Sequence, residues 1–111
     1  MVFEYEDTYP AEYVRDAKVC LGLAHPARWL ALKILKENGG RMTLKSMLDI
    51  LQSEYSYKQT YVRLKHHLEQ MEEAGIVRII DPKTRKKLIE VELLLDVSID
   101  IKEVKKDVEN A

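Results

Sequence analysis

Residues 21–87 decide the fold of this chain. They begin with LGLAHPAR (21–28), pass through an apolar segment to the basic stretch YKQTYVRLKHH (57–67), and end with EAGIV (73–77) and DPKTRKK (81–87). Their prolines, glycines and apolar spacings predict two helices, a short third helix, a longer fourth helix and a β-hairpin with a basic tip.

An apolar stripe predicts the first helix. Pro10 suits a first helical turn, and the apolar residues after it recur at helical spacing. They are Tyr13, Ala17, Cys20 and Ala24, with Val14 and Leu21 widening the stripe. We expect this stripe to face the core, which would make Cys20 a small buried residue rather than a redox sensor.

The second helix is predicted from Pro26, because a proline disfavours helical backbone at the residue before it, here His25. It extends to about Glu37 and is followed by Asn38-Gly39-Gly40, which ends it. The helix is apolar on almost all sides and is therefore expected at the centre of the core. Its apolar residues are Trp29, Leu30, Ala31, Leu32, Ile34 and Leu35.

Two further helices follow. Thr43 can cap a short third helix that ends near Ser53. Its inward residues are Leu44, Met47, Leu48 and Leu51. Ser56 and Gln59 have the spacing of a capping box, so the fourth helix is predicted from Ser56 to Ala74, with Gly75 as its stop. Its inward stripe is Tyr57, Tyr61, Leu64, Leu68 and Met71.

The chain ends in a hairpin and an acidic tail. Residues 76–80 and 88–94 are β-rich and flank a turn opened by Asp81-Pro82. Ile89, Val91 and Leu93 alternate with Leu88 and Glu90, which predicts one buried face. Further on, Asp100 and Glu103 could cap a last helix of about ten residues, which needs a surface to pack on. Its apolar face would be Ile101, Val104 and Val108.

This order of elements is typical of a winged helix-turn-helix, so the predicted fold is mainly α with a small β-hairpin. We predict one winged-helix domain over residues 1–111, with a core module at 10–95 and an acidic C-terminal tail or helix at 96–111 that serves dimerisation. Modules of this kind place one helix in a DNA major groove and the hairpin beside it on the backbone.

Composition narrows the class of protein. The 111 residues are 46% hydrophobic and 33% charged, which is typical of a globular domain rather than a disordered chain. A single cysteine excludes an intrachain disulfide framework and fits a reducing compartment. No apolar run approaches the ~18 residues that span a bilayer, and the acidic start MVFEYED is unlike a signal peptide. We therefore expect a cytoplasmic protein with no membrane partner.

Charge is distributed unevenly along the chain. The formal net charge is −1, yet residues 41–87 carry 10 basic and 6 acidic side chains, while residues 88–111 carry 3 and 7. Nucleic-acid binding depends on the local field at the contact surface, so this segregation matters more than the sum. Ordinary fluctuation of charge along a chain explains it equally well.

Two motifs resemble those of a known family. The segment LAHPAR (23–28), followed by the apolar helix, and the segment HLEQMEEAGIV (67–77) resemble the ArsR/SmtB-like branch of winged-helix transcriptional regulators. The resemblance covers roughly residues 20–95. It implies a homodimeric, cytoplasmic regulator that binds double-stranded DNA, usually as a repressor.

The metal-site motifs of that family are absent. Metal-sensing members carry paired cysteines on the third helix, where this chain has KSMLD (45–49), or histidines and carboxylates on the last helix, where residues 96–111 contain no histidine. Soft and borderline metals need thiolate or imidazole ligands, and the neighbours His66 and His67 point ~100° apart on a helix. We predict no metal site and no cofactor, and His67 is interpreted as a structural residue.

Three groups of residues are predicted to contact DNA. The outer arc of the fourth helix would read bases with Lys58, Gln59, Val62, Arg63, Lys65 and His66. The start of the third helix would anchor phosphates with Thr43, Lys45 and Ser46. The hairpin tip would do so with Lys83, Arg85, Lys86 and Lys87. The alternative interpretation is that the residues of the fourth helix form an ordinary solvated face and that the hairpin tip is a solubilising loop.

Surplus apolar residues at both ends predict a homodimer. The expected interface residues are Tyr5, Tyr9, Tyr13, Val14, Leu21, Ile101, Val104 and Val108. A winged-helix protein–protein interaction module that does not bind DNA is the alternative function. An enzyme is not expected, because no nucleophile, base and orienting group recur in a recognisable arrangement and no glycine-rich phosphate loop exists.

Overall fold

The helices and strands follow the predicted order, with one strand added. The computed structural model describes residues 8–83 and 88–104. Within them the elements are α1 (Ala11–Gly22), α2 (Pro26–Glu37), β1 (Arg41–Thr43), α3 (Leu44–Tyr55), α4 (Tyr61–Glu73), β2 (Val77–Ile80) and β3 (Glu90–Leu93). The described chain is therefore mainly helical, with four helices and a small antiparallel sheet of three strands.

The added strand, β1, ties the hairpin to α3. The strand order is β1-β3-β2, and Val91 of β3 pairs with Met42 on one side and with Ile79 on the other. Directly after β1, the Leu44 N–H donates to the Ile89 carbonyl at 2.9 Å. Three residues are too few to show a strand period, so the sequence did not predict β1.

The second and third helices begin where the sequence predicts. His25 caps α2 by accepting a hydrogen bond from the Ala27 N–H on its Nδ1 at 3.0 Å. Thr43 caps α3 by accepting the Ser46 N–H on its Oγ1 at 3.1 Å. The third helix extends to Tyr55, two residues beyond the predicted end.

The predicted start of the fourth helix is wrong by five residues. Ser56 has left-handed backbone, with φ 54°, and it ends α3 instead of opening α4. Thr60 is the actual cap, and its Oγ1 accepts the Arg63 N–H at 3.1 Å. Because α3 extends through Tyr55, Ser56 is needed as its C-cap, and Gln59 lies in the connection between the helices.

One core joins all the elements. Every helix and strand supplies buried residues, and α2 lies at the centre as predicted. The fully buried large side chains are Leu32, Ile34, Leu35, Leu44, Met47, Leu51, Leu64, Leu68, Met71, Ile76, Val77 and Val91. Tyr61 is partly buried and packs against this cluster, as its place in the inward stripe predicts, and Tyr57 packs there too, but from the connection before α4 rather than from the helix.

The first helix presents the opposite face to the one predicted. Tyr13 is 63% exposed and Leu21 is 42% exposed, and the cysteine of the stripe, Cys20, is exposed as well. Of the predicted stripe only Val14 is buried, and the other buried residues of α1 are Val19 and Gly22. The prediction that Cys20 belongs to the core is therefore wrong.

The reason is a close approach between α1 and α4. A Cβ atom placed at Gly22 would lie 2.4 Å from Cβ of Ala74 and 3.0 Å from Cδ1 of Ile76. This glycine therefore lies against the end of α4, because no larger residue fits there. The apolar stripe centred on Tyr13 and Ala17 is on the far side of the helix and faces outward.

The tail is extended where a helix was predicted to begin. Residues 94–104 form neither helix nor strand, so the last helix does not start at Asp100 as expected; residues 105–111 lie outside the described part of the chain. Lys36 holds the tail, since its Nζ donates to the Val97 carbonyl at 2.8 Å and pairs with Asp96 at 2.7 Å. Across the described ranges, the helices are all too short or too polar to cross a membrane.

Candidate nucleic-acid interface

The outer face of α4 is built from its first two turns. At about 100° per residue, Val62 and His66 lie within about 40° of each other and nearly opposite the buried Leu64. Val62, Arg63 and His66 are exposed, and Lys65 is partly buried beside them. We use the name outer face for these four residues. Lys58 and Gln59, predicted on the same surface, are exposed but lie in the connection before α4.

A groove separates the outer face from the hairpin. Its volume is roughly 400 Å³. Its walls are Tyr61, Val62, Lys65, His66, Glu69, Asp81 and Ile89. The carbonyl of Ile89 also accepts a hydrogen bond from the N–H of Leu44, the first residue of α3. The groove thus lies between the outer face and the base of the hairpin, and the hydrogen bond of Ile89 connects its wall to α3.

The start of α3 contributes less free donor capacity than predicted. Thr43 Oγ1 is occupied by the Ser46 N–H and is bonded to Ser46 Oγ at 2.8 Å. Lys45 pairs with Asp49 one turn later at 3.7 Å. Both members of this pair are well exposed, so it is a weak surface ion pair that a phosphate can displace. Lys45 and Ser46 therefore remain accessible, while Thr43 serves mainly as the helix cap.

The sheet neutralises part of the basic segment. Arg41 of β1 pairs with Glu90 of β3 at 3.1 Å, and Arg78 of β2 pairs with Glu92, which is also in β3. The hydrogen bond from Arg41 is the main cause of a lowered pKa at Glu90. The acidic residues after residue 87 thus cancel these two arginines across the strands.

The cations of the outer face and of the connection before α4 have no such partners. Lys58, Arg63 and Lys65 form no ion pair within residues 8–83 and 88–104. Glu69 and Asp81 on the groove wall are acidic neighbours of this surface. Positive charge without an internal counter-ion is therefore concentrated at the start of α4 and in the connection before it, which is the field that attracts phosphates.

The hairpin tip is described only at its first residues. Lys83 is exposed, has left-handed backbone with φ 63°, and donates its N–H to Oδ1 of Asp81 at 2.8 Å. This bond forms a tight turn of the kind that aspartate favours. The other predicted phosphate contacts of the tip, Arg85, Lys86 and Lys87, lie outside the described residues.

A histidine and an arginine fasten α4 to the first two helices. His67 is 6% exposed, and its Nδ1 accepts a hydrogen bond from Arg28 Nε at 3.1 Å. The rings of His67 and His25 are 4.3 Å apart, and Arg28 also reaches the carbonyls of Leu21 and Gly22. Burial, with the cations around it, lowers the pKa of His67 to about 4. His67 is therefore neutral at pH 7 and holds α4 in place.

Metal-binding side chains are not brought together in the part of the chain that the structure describes. No group of three histidine, cysteine or acidic side chains in residues 8–83 and 88–104 is close enough to hold a metal ion. The hydroxyl groups of Tyr57 and Tyr61 are buried, and burial is the main cause of the raised pKa of each phenol. These tyrosines serve packing at the base of α4.

The predicted dimer residues divide into two sets. Exposed apolar side chains occur at Tyr9 before α1, at Tyr13 and Leu21 on α1, and at Ile101 and Val104 in the tail. Val14, the sixth described member, is only 7% exposed and belongs to the core of its own chain, so it has little surface for a partner. Tyr5 and Val108 lie outside the described residues.

The sequence missed three residues of this region. Thr60 was overlooked as a cap because Ser56 and Gln59 matched the capping-box spacing, although threonine is itself a favoured cap residue. Glu69 and Asp81 were not considered because only basic and polar residues were sought along α4 and the hairpin. Helical spacing does place Glu69 one turn from His66 and Lys65, so that neighbour was predictable.

Comparison with protein-family models, curated proteins and solved structures yields no match for this chain. Its function therefore has to be inferred from its own residues and geometry. The features that bear on it are the element order, the unpaired cations at the start of α4, the adjacent hairpin and the outward apolar stripe of α1.

Proposed function

We propose that the protein is a homodimeric DNA-binding transcriptional regulator of the winged helix-turn-helix class, acting in the cytoplasm as a repressor. The observation that carries the proposal is the outer face of α4, whose cations lack internal partners and whose first turn projects beside the hairpin. In helix-turn-helix proteins the second helix enters the major groove by its N-terminal residues. Here the corresponding helices are α3 and α4.

In this arrangement the elements have separate tasks. Val62 and Arg63, in the first turn of α4, would meet base edges, and His66 would follow one turn deeper along the groove. Lys45 and Ser46, at the start of α3, would bind phosphates, as would the hairpin tip beginning at Lys83. Lys58, in the connection, would also meet the backbone rather than a base.

The dimer would form through α1. Its outward stripe of Tyr13, Ala17 and Cys20 is exposed, as is Ala24 just beyond the helix, which leaves an apolar surface without a partner in one chain. Ile99, Ile101 and Val104 of the tail are exposed as well. Two copies joined in this way would present two α4 helices to a palindromic site.

Replacing Ala17 with glutamate is expected to weaken self-association at least tenfold, because it puts a charge in the middle of the outward stripe. Sedimentation equilibrium at micromolar concentration measures the effect. Ala11→Glu is the matched control, since it makes the same change on the same helix away from the stripe and should leave association unaltered. A wild-type protein that is monomeric at these concentrations contradicts the dimer.

Arg63→Ala should weaken binding to a selected DNA site by about 1–3 kcal/mol more than it weakens binding to random duplex, if Arg63 pairs with a guanine edge. Lys58→Ala should instead weaken both equally and reduce the salt slope by about one. Fluorescence anisotropy with both duplexes at several salt concentrations separates these results. Equal behaviour of the two variants would mean that α4 and the connection do not differ in role.

The decisive test of the proposed function is a salt titration of binding to duplex DNA. A protein that contacts Z phosphates loses affinity with a slope of about −0.9Z in log K against log salt. The acidic groups Glu69 and Asp81 beside the outer face are the one observation that favours the alternative, an interaction module that binds no DNA. Such a module would show negligible binding at every salt concentration, which would overturn the proposal.

A further inference from the structure

One residue of the outer face, Val62, has no role in the fold that explains why a valine is there. Val62 is 74% exposed, more than any other large apolar side chain in the helices and strands. A β-branched residue is a poorer helix former than alanine, lysine or glutamate, and burial does not compensate for this at an exposed position. Neither helix propensity nor core packing therefore accounts for a valine here.

The position of Val62 distinguishes it from apolar residues that are scattered singly over a protein surface. It is the second residue of α4, two positions after the cap Thr60, and it points nearly opposite the core. Arg63 follows it directly in the chain and Lys65 and His66 lie about one turn on, while Tyr61 and Ile89 line the adjoining groove with it. Single exposed apolar residues are common on protein surfaces. Val62, however, lies in the first turn of the helix that is proposed to enter the major groove, where side chains meet base edges.

The chemistry of the major groove supplies one apolar group for such a side chain. Among the base edges exposed there, only thymine carries a methyl group, at C5, while the other positions are hydrogen-bond donors and acceptors. We propose that Val62 contacts the 5-methyl group of a thymine in the bound site and so selects thymine at one position of each half-site. This inference rests on the proposed DNA-binding function and names the base that one residue of that surface recognises.

The test replaces single thymines by deoxyuridine. A duplex is first selected by the wild-type protein from random sequences, and each thymine is then changed in turn to deoxyuridine, which removes only the methyl group and keeps base pairing. At one position per half-site we expect the wild-type affinity to fall about four- to tenfold, as burial of one methyl group predicts. Val62→Ala should bind the thymine and uracil duplexes equally at that position.

Two controls make the result specific. Arg63→Ala should lower affinity overall yet keep the thymine–uracil difference, because it leaves Val62 in place. Thermal unfolding should show Val62→Ala folded as well as wild type, since the residue is exposed. If wild-type protein binds no duplex, the proposed function fails and this inference fails with it. If the protein binds DNA but no thymine replacement matters, or Val62→Ala keeps the difference, the thymine contact alone is overturned.

Discussion

Gly22→Ala should destabilise the protein by about 2–3 kcal/mol, although helix propensity alone favours alanine over glycine by about 1 kcal/mol. The added Cβ would lie 2.4 Å from Cβ of Ala74, a distance that requires α1 or the end of α4 to shift. Its other close neighbour, Cδ1 of Ile76, is the flexible end of a side chain and can move. Urea denaturation of the two proteins measures the difference in the free energy of unfolding.

A second substitution tests the cause of this loss. Ala74→Gly in the Gly22→Ala background removes the clashing atom and should recover most of the stability, after allowance for the cost of Ala74→Gly measured alone. Steric overlap predicts this coupling, whereas a general loss of packing predicts simple addition. A Gly22→Ala protein as stable as wild type would show that the two helices are not in close contact.

Acid should weaken the protein through His67 by about 2–3 kcal/mol. Burial lowers the pKa of His67 from its ordinary value of 6.5 to about 4 in the folded state, so the unfolded chain binds the proton more readily. Stability is therefore complete above pH 6.5 and falls as the pH decreases to about 4. Below that pH both states are protonated, and this group adds no further dependence.

The His67→Asn variant isolates this effect. Asparagine can keep an acceptor for Arg28 near the place of Nδ1 but does not titrate. The free energy of unfolding of wild type, measured by chemical denaturation from pH 7.5 to 4, should fall relative to that of His67→Asn. His66→Asn is the matched control, because it makes the same change at the exposed neighbouring position and should retain most of the fall in stability that His67 causes. Parallel profiles for wild type and His67→Asn would exclude His67 as the acid-sensitive group.

Local signals account for the elements that were predicted correctly. Pro26 with His25 before it marks the start of α2, because proline restricts the preceding residue and suits a first helical turn. Thr43 similarly marks α3, and Gly75, with φ 81°, ends α4 by adopting backbone that other residues avoid. Alternation of Ile89 and Val91 identified the buried face of the hairpin. Each of these signals acts within a few residues.

The candidate site was predicted only in part for the same reason. Val62, Arg63, Lys65 and His66 share a face by helical spacing alone, which the sequence contains. Lys58 was assigned to that face because two capping signals lie four residues apart, and the choice between them depends on where α3 ends. The pairing of Arg41 and Arg78 with strand β3 was not visible, since it joins residues far apart in the chain.

Local signals in the sequence predict the order of the four helices and of the hairpin strands β2 and β3, the caps of α2 and α3, most of the inward stripes of α2 and α4, and the excess of basic residues between 41 and 87. Only the tertiary structure decided which face of α1 is buried, where β1 pairs and which cations remain unpaired. The physical reason is that helical periodicity shows that an apolar face exists but not what covers it. On α1 the close contact of Gly22 with Ala74 places the face that carries Gly22 against the core, so the stripe of Tyr13 and Ala17 faces outward.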